Sequence, residues 1–178
     1  MSVAGKVEGS ALMVSISIKV TTPERKFGNK GWLDSIARDQ RQTTVPRLKK
    51  LFQQTVYGWS NKPEFGWVQR RTSDTISITM YPQGQYADKW ELVNAGSPRH
   101  RIPKSGFTYM RFRPGYRAAT TPGSLMSRRA YRSGKYETHF VVNHPGFAPR
   151  DFIGQISEEY NNPFMVEMQE AINLVAKK

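Results

Sequence analysis

Three histidines and a small number of carboxylates are the residues of this 178-residue chain that could do chemistry near neutral pH. Histidine serves as a general base or a metal ligand because it gains and loses its proton close to physiological pH. His100 lies among arginines, His139 falls in a strand-like segment that keeps it at or near the surface, and His144 precedes a Pro-Gly step. No HxH, HxxxH or HExxH spacing brings two of them to one metal ion. The sequence therefore predicts no metal site.

Motifs for nucleophilic catalysis and for phosphate binding are also missing from the sequence. The chain has no cysteine, no G-x-S-x-G element and no glycine-rich phosphate loop after a strand. Asp151, Glu158 and Glu159 are best explained as solvated charges near a helix N-terminus. The sequence thus predicts that the protein is not an enzyme, has no catalytic residue and needs no cofactor.

Positive charge is the strongest signal in the sequence. The chain has 27 Lys and Arg against 14 Asp and Glu, a formal net charge of +13. No Asp or Glu occurs between Leu92 and Tyr136. Ten basic residues lie in that acid-free segment: Arg99, Arg101, Lys104, Arg111, Arg113, Arg117, Arg128, Arg129, Arg132 and Lys135. Because aromatic residues alternate with them, we expect a surface that faces DNA or a subunit interface. In TYMRFR, residues 108–113, the same alternation is also explained by a single strand with one solvent-exposed face and one buried face.

Hydrophobic periodicity predicts the elements that would position these residues. Alternating apolar and polar residues, or short runs of β-branched and aromatic residues, predict six strands: 12–20, 65–71, 75–81, 89–93, 108–113 and 136–142. The second and third of these form a hairpin. A broken helical region is expected over 31–57, with Pro46 in the first turn of its second part. A C-terminal helix is expected to begin at Asn162 and Pro163, as cap and first-turn residue.

Together these elements predict an α+β fold. An antiparallel sheet of four to six strands packs with two or more helices in a single domain over residues 1–178, and residues 113–135 form a long basic loop or arm within it. No segment approaches the roughly 20 apolar residues of a membrane span, and no secretory leader is evident, so a soluble protein without a membrane partner is expected.

Residues 90–152 contain the segments WELVNAGSPRHRIPKSGFTYMRFRPG, TTPGSL and FVVNHPGFAPRDF, in that order. This order resembles the neck proteins of tailed bacteriophages, the tail-completion and head-tail connector group. Members of that family carry an aromatic strand ending in a Gly-Thr-like turn, then Pro-His-x-Ile-x-Pro-Lys, an apolar-Arg-Phe strand, a basic loop, and a strand ending in His-Pro-Gly. The motif positions matched here are Gly96, His100, Pro103, His144, Pro145, Gly146, Arg150 and Phe152. Ser97 departs from the commoner Thr, and Arg99 separates Pro98 from His100.

The resemblance implies a structural virion protein. In this reading the chain forms a ring, a hexamer, that joins the portal or connector protein to the tail tube or tail terminator protein and surrounds the DNA channel. It is assembled in the host cytoplasm and resides in the virion neck. The basic segment then contacts packaged DNA if it faces the lumen, or an acidic connector or tail surface if it faces outward. A basic nucleic-acid-binding protein that acts on its own is the alternative.

The stretch FVVNHPGFAPRDF, residues 140–152, is interpreted as a corner. Pro145 removes a ladder donor, and Gly146 permits a turn that a side chain would hinder. Pro149 biases the preceding residue away from helix, so that a helical segment begins at Arg150. Phe152 is then expected in the core.

Overall fold

A computed structural model describes residues 14–19, 31–72, 75–102, 110–113, 115–139 and 141–176. Its helices are α1 (Trp32–Gln42), α2 (Thr44–Thr55), α3 (Ala87–Ala95) and α4 (Phe152–Ala176). Its strands are β1 (Val14–Lys19), β2 (Glu64–Arg71), β3 (Thr75–Gln83), β4 (His100–Ile102), β5 (Met110–Phe112), β6 (Gly115–Arg117), β7 (Tyr131–Ser133), β8 (Glu137–His139) and β9 (Val142–His144). The predicted α+β class is confirmed.

The first three strands form an antiparallel sheet in the order β1-β3-β2. The predicted hairpin is β2 and β3, with Trp67 opposite Met80 in the register. Ile76, Ile78 and Met80 alternate along β3 and are almost fully buried. Successive side chains of a strand point to opposite faces of the sheet, so these three residues lie on one face, and that face packs against the helices. The sheet packs on α2 and α3, while α4 packs on α1 and α2.

The core is an aromatic cluster that joins four elements. The Phe52 ring of α2 lies 5.2 Å from Phe65 of β2 and 5.6 Å from Trp90 of α3, between ring centroids. Phe152, the first residue of α4, is 5.7 Å from Trp90 and fully buried. Burying each of these side chains contributes about 1.5–3 kcal/mol to stability. The expectation that Phe152 lies in the core is met.

The helical region 31–57 is broken between α1 and α2, as predicted. Thr43 stands between the two helices, and its N–H and hydroxyl both donate to the Asp39 carbonyl at 2.9 Å. Pro46 is the third residue of α2, where its missing N–H removes no intrahelical hydrogen bond.

Residues 89–93 are helical, so the strand predicted there was wrong. Trp90, Val93 and Asn94 face the core at helical spacing, and the Trp90 Nε1–H donates to Thr55 Oγ1 at 2.8 Å. Leu92, which a strand would place on the same face as Trp90, is half exposed. A five-residue segment with three apolar residues fits either period, and tertiary packing selects the helix.

The helical segment predicted from Arg150 and the C-terminal helix predicted from Asn162 and Pro163 are one helix: α4 starts at Phe152 and runs through Pro163. Its buried stripe extends over both sides of the proline: Phe152, Ile156, Tyr160, Phe164, Met168 and Ala171. An interior proline costs a helix about 3 kcal/mol. Burial of the continuous stripe outweighs that cost, since several large side chains contribute.

The remaining six strands form three nested two-stranded antiparallel ladders. β4 pairs with β9, β5 with β8 and β6 with β7. We call the described residues of this region, 97–102, 110–113, 115–139 and 141–147, the basic ribbon. The predicted final strand over 136–142 is divided between β8 and β9, and Phe140 between them lies outside the described residues.

Candidate nucleic-acid interface on the basic ribbon

The ribbon begins where two distant segments pair side by side. Ser97 and Phe147 exchange backbone hydrogen bonds of 3.0 and 2.9 Å. Beyond them His100 lies opposite His144, and the two imidazole rings stack with centroids 4.9 Å apart and planes 26° from parallel. His100 Nδ1 lies 2.9 Å from the Pro98 carbonyl, which can only accept, so this nitrogen carries the proton. We call this junction the ribbon base.

Two glycines permit the close approach at the ribbon base. Gly96 and Gly146 have φ values of +78° and +79°, a conformation that side chains disfavour. A Cβ at Gly146 would overlap the Ser97 carbonyl oxygen and lie 2.7 Å from the Pro98 carbonyl carbon. The Gly146 N–H donates to His144 Nδ1 at 3.0 Å. A neutral His144 therefore carries its proton on Nε2, and its ring is oriented by the turn.

The motif residues after the ribbon base hold the start of α4. Backbone N–H groups of Arg150 and Asp151 donate to Val93 and Asn94 at the end of α3, at 3.2 and 3.1 Å. Asp151 has a φ of +48°, and its Oδ1 accepts the Gly154 N–H at 3.2 Å, which caps the helix. The Arg150 Nε–H donates to Thr120 Oγ1 at 3.2 Å. Arg150 thus links the start of α4 to the ribbon.

The structure brings together the motif positions Gly96, His100, His144 and Gly146, with Pro145 exposed beside them. Pro103 and Lys104, also singled out from the sequence, lie outside the described residues.

The described ribbon holds nine of the chain's 27 basic residues and one of its 14 acidic residues. Seven of the nine have exposed side chains: Arg99, Arg101, Arg111, Arg117, Arg128, Arg129 and Lys135. Arg113 is half-buried, and Arg132 lies opposite Tyr116 in the β6–β7 register. Between described residues, no ribbon arginine or lysine forms a salt bridge. The ribbon surface is therefore strongly positive.

Two arginine side chains of the ribbon share one tyrosine. The guanidinium carbons of Arg111 and Arg113 lie 4.9 and 4.5 Å from the centroid of the Tyr136 ring. Tyr136 remains 55% exposed. The single acidic residue, Glu137, contacts His139 at 3.3 Å instead. Cation–π contacts hold the guanidinium groups without neutralising them, so their charge stays available to a ligand.

A second arginine and tyrosine face each other further along the ribbon. Arg117 of β6 lies opposite Tyr131 of β7, and both side chains are exposed, Tyr131 by 60%. Directly paired residues in an antiparallel ladder point to the same side. The ribbon therefore presents two cross-strand Arg–Tyr sets.

The segment that connects β6 to β7, residues 118–130, is fastened to the helical core. We call it the ribbon tip. Ser127 is almost fully buried: its N–H and hydroxyl donate to the Gln54 carbonyl at 3.2 and 3.3 Å, and its Oγ accepts the Gly58 N–H at 2.9 Å. Leu125 and Ala119 pack on the core. Part of the arm predicted over 113–135 thus has a buried side, which sequence reasoning did not anticipate.

Sequence reasoning also missed a buried polar cluster between α2 and α4. Glu167 accepts hydrogen bonds from Tyr160 at 2.7 Å and Thr44 at 3.3 Å, and it forms a salt bridge with Arg47. Burial raises the pKa of the Tyr160 hydroxyl above its ordinary value. The spacing of Tyr160 and Glu167, two helical turns, was the available signal, because it puts both on one face. We call Thr44, Arg47, Tyr160 and Glu167 the helix clasp, because their side chains join α2 to α4.

No family model, curated protein or solved structure matches this chain. Within the described residues, no group of three or more metal-ligating side chains is assembled, and no helix is long and apolar enough to cross a membrane. The described residues thus define an α+β protein with a basic two-stranded ribbon.

Proposed function

We propose that this chain is a structural subunit of the neck of a tailed bacteriophage. In this role it forms a ring, a hexamer, between the portal or connector protein and the tail tube or tail terminator protein, around the DNA channel. The observation that carries the proposal is the ribbon base. There Gly96, His100, His144 and Gly146, far apart in the sequence, lie side by side.

Each of these motif residues has a physical role in the same junction. The glycines allow two backbones to approach, the histidine rings stack across the ladder, and Arg150 and Phe152 set the start of α4. Residues that are scattered in sequence but build one junction behave as a single structural unit. The described motif positions that carry the resemblance to neck proteins are part of this unit, which supports the proposal.

The test is a deletion of this reading frame from the phage genome that encodes it. We expect DNA-filled heads and separate tails to accumulate, and joined particles to return when the wild-type chain is supplied from a plasmid. A Gly146→Ala chain should restore joining poorly, whereas Gly84→Ala, at a glycine of similar φ with no atom near its Cβ position, should restore it well. Normal joined virions without the chain would contradict the proposal.

Cryo-electron microscopy of the particle gives an independent measurement. Ring density at the neck that fits the α+β core and the basic ribbon is expected, and density for this chain on the capsid shell would refute the placement. The Arg111–Arg113–Tyr136 set also suits a basic nucleic-acid-binding protein that acts on its own. That alternative predicts joined particles in the deletion strain and no density at the neck.

A further inference from the structure

We propose that the ribbon face carrying Arg111, Arg113 and Tyr136 binds the phosphate backbone of duplex DNA. The inference rests on the proposed function for the choice of polyanion, since packaged duplex DNA passes through the channel of a neck ring. The binding surface itself is argued from the geometry of the ribbon.

The two guanidinium groups are placed to contact a repeating anion. Arg111 and Arg113 are two residues apart, which in a strand corresponds to about 6.7 Å, and both contact the same ring. Cation–π contact with Tyr136 restricts the two arginine side chains before any ligand arrives, so less conformational entropy is lost on binding. Planar guanidinium groups donate two parallel hydrogen bonds to a phosphate.

Arg113 also has an unmet hydrogen-bonding requirement. Its Nε is buried and has no acceptor among the described residues. A buried donor without a partner costs about 1–3 kcal/mol. A phosphate oxygen next to the stacked guanidinium would offset that cost through a small change of the Arg113 side chain.

The distribution of charge favours DNA over an acidic protein as the partner. A continuous run of exposed cations along one surface, with almost no carboxylates between them, is typical of a surface that binds a nucleic acid. Here exposed cations continue from Arg99 at the base to Arg129 in the tip, and Glu137 is the one carboxylate among the described ribbon residues. A two-stranded ribbon also has a width that the major groove, about 12 Å wide, accommodates. The Arg117–Tyr131 set extends the contact along the same ribbon.

The experiment measures binding of the purified chain to a fluorescently labelled duplex by anisotropy, from about 50 to 200 mM salt. For Arg111→Gln/Arg113→Gln we expect at least about tenfold weaker binding and a salt slope smaller by about two, since two phosphate contacts are lost. The matched control is Arg38→Gln/Arg70→Gln, which removes the same charge from exposed positions on α1 and β2. Its salt slope should stay at the wild-type value. Equal losses in both variants would overturn the proposal.

Two further comparisons separate specific geometry from charge and from misfolding. Arg111→Lys/Arg113→Lys keeps the charge but not the planar guanidinium groups, and we expect an intermediate loss of affinity with an unchanged melting temperature. Polyglutamate should compete less effectively than duplex DNA at equal charge. If polyglutamate competes as well as duplex DNA, or if the wild-type chain does not bind the labelled duplex at about 50 mM salt, the inference is wrong. These outcomes leave the deletion test untouched, so failure of DNA binding and failure of the neck role remain distinguishable.

Discussion

Gly146 and Gly84 share nearly the same backbone conformation but have different surroundings. Their φ values are +79° and +83°, yet a Cβ at Gly146 would overlap the Ser97 carbonyl oxygen, while a Cβ at Gly84 meets nothing within 4 Å. We predict that Gly84→Ala lowers the free energy of unfolding by about 1–2 kcal/mol, the cost of the left-handed conformation. Gly146→Ala should cost about 3 kcal/mol or more, because the ribbon base must also separate.

Urea unfolding of the two variants gives the comparison. Hydrogen exchange at the Ser97 and Phe147 amides should be faster in Gly146→Ala and unchanged in Gly84→Ala. Equal stability losses would show that the close approach at the ribbon base is unimportant.

At the scale of elements, the clasp between α2 and α4 predicts a dependence of stability on pH. Burial, with the hydrogen bond to Glu167, raises the pKa of Tyr160 above its ordinary value of 10.0. The hydroxyl therefore ionises in the unfolded chain before it does so in the folded chain. Its contribution to stability is fully present below about pH 10 and is lost as the pH rises further, by at most about 1.4 kcal/mol per pH unit.

The variant that checks this is Tyr160→Phe, which cannot ionise. At pH 8 it should be about 1–2 kcal/mol less stable than the wild type, because Glu167 loses a buried donor. Between pH 10 and 11 the difference in unfolding free energy should narrow. Tyr131→Phe, at an exposed position, is the control and should show no such trend. A constant difference from pH 8 to 11 would contradict the assigned role of Tyr160.

Elements with a long regular period were predictable from the sequence, and short or interrupted ones were not. β1, the β2–β3 hairpin and the break between α1 and α2 follow from apolar spacing. α3 was misread because residues 89–93 contain too few apolar positions to distinguish the helical period from the strand period. The helical segment predicted from Arg150 begins close to the start of α4, but a second helix start at Asn162 and Pro163 was wrong. These two residues form a strong local start signal, whereas the buried stripe through the helix is a property of the packed core.

The positive charge of the candidate site could be predicted, but its arrangement could not. Acid-free sequence between Leu92 and Tyr136 is visible by inspection. The pairing of His100 with His144 is not, since it joins positions whose contact has no local signature. Burial of Ser127 was equally hidden, because a polar residue is buried only where a partner such as the Gln54 carbonyl accepts its hydrogen bonds.

At the scale of the whole molecule, the ribbon tip should stay attached through Ser127. Ser127→Ala removes the hydroxyl that links Gln54 and Gly58, and we predict a loss of about 1–3 kcal/mol in the free energy of unfolding. Amide exchange at Gly58 and Arg128, whose N–H groups donate to Ser127 Oγ and the Ala119 carbonyl, should accelerate more than at the ribbon base. Ser124→Ala is the matched control, since the Ser124 hydroxyl donates to the Met126 carbonyl, two residues away in the same tip. An identical exchange pattern in both variants would argue against attachment by this residue.

The two attachments of the ribbon have a mechanical consequence. Next to the Ser97–Phe147 bridge, the N–H groups of Arg150 and Asp151 bond to the end of α3, and at the other end the Ser127–Gln54 bonds hold the ribbon tip against α2. A hairpin attached only at its base can swing about that base, whereas a hairpin attached at both ends resists lateral displacement. Force applied to the ribbon would be divided between the two attachments, and both lead into the same aromatic core through Phe52 and Phe152.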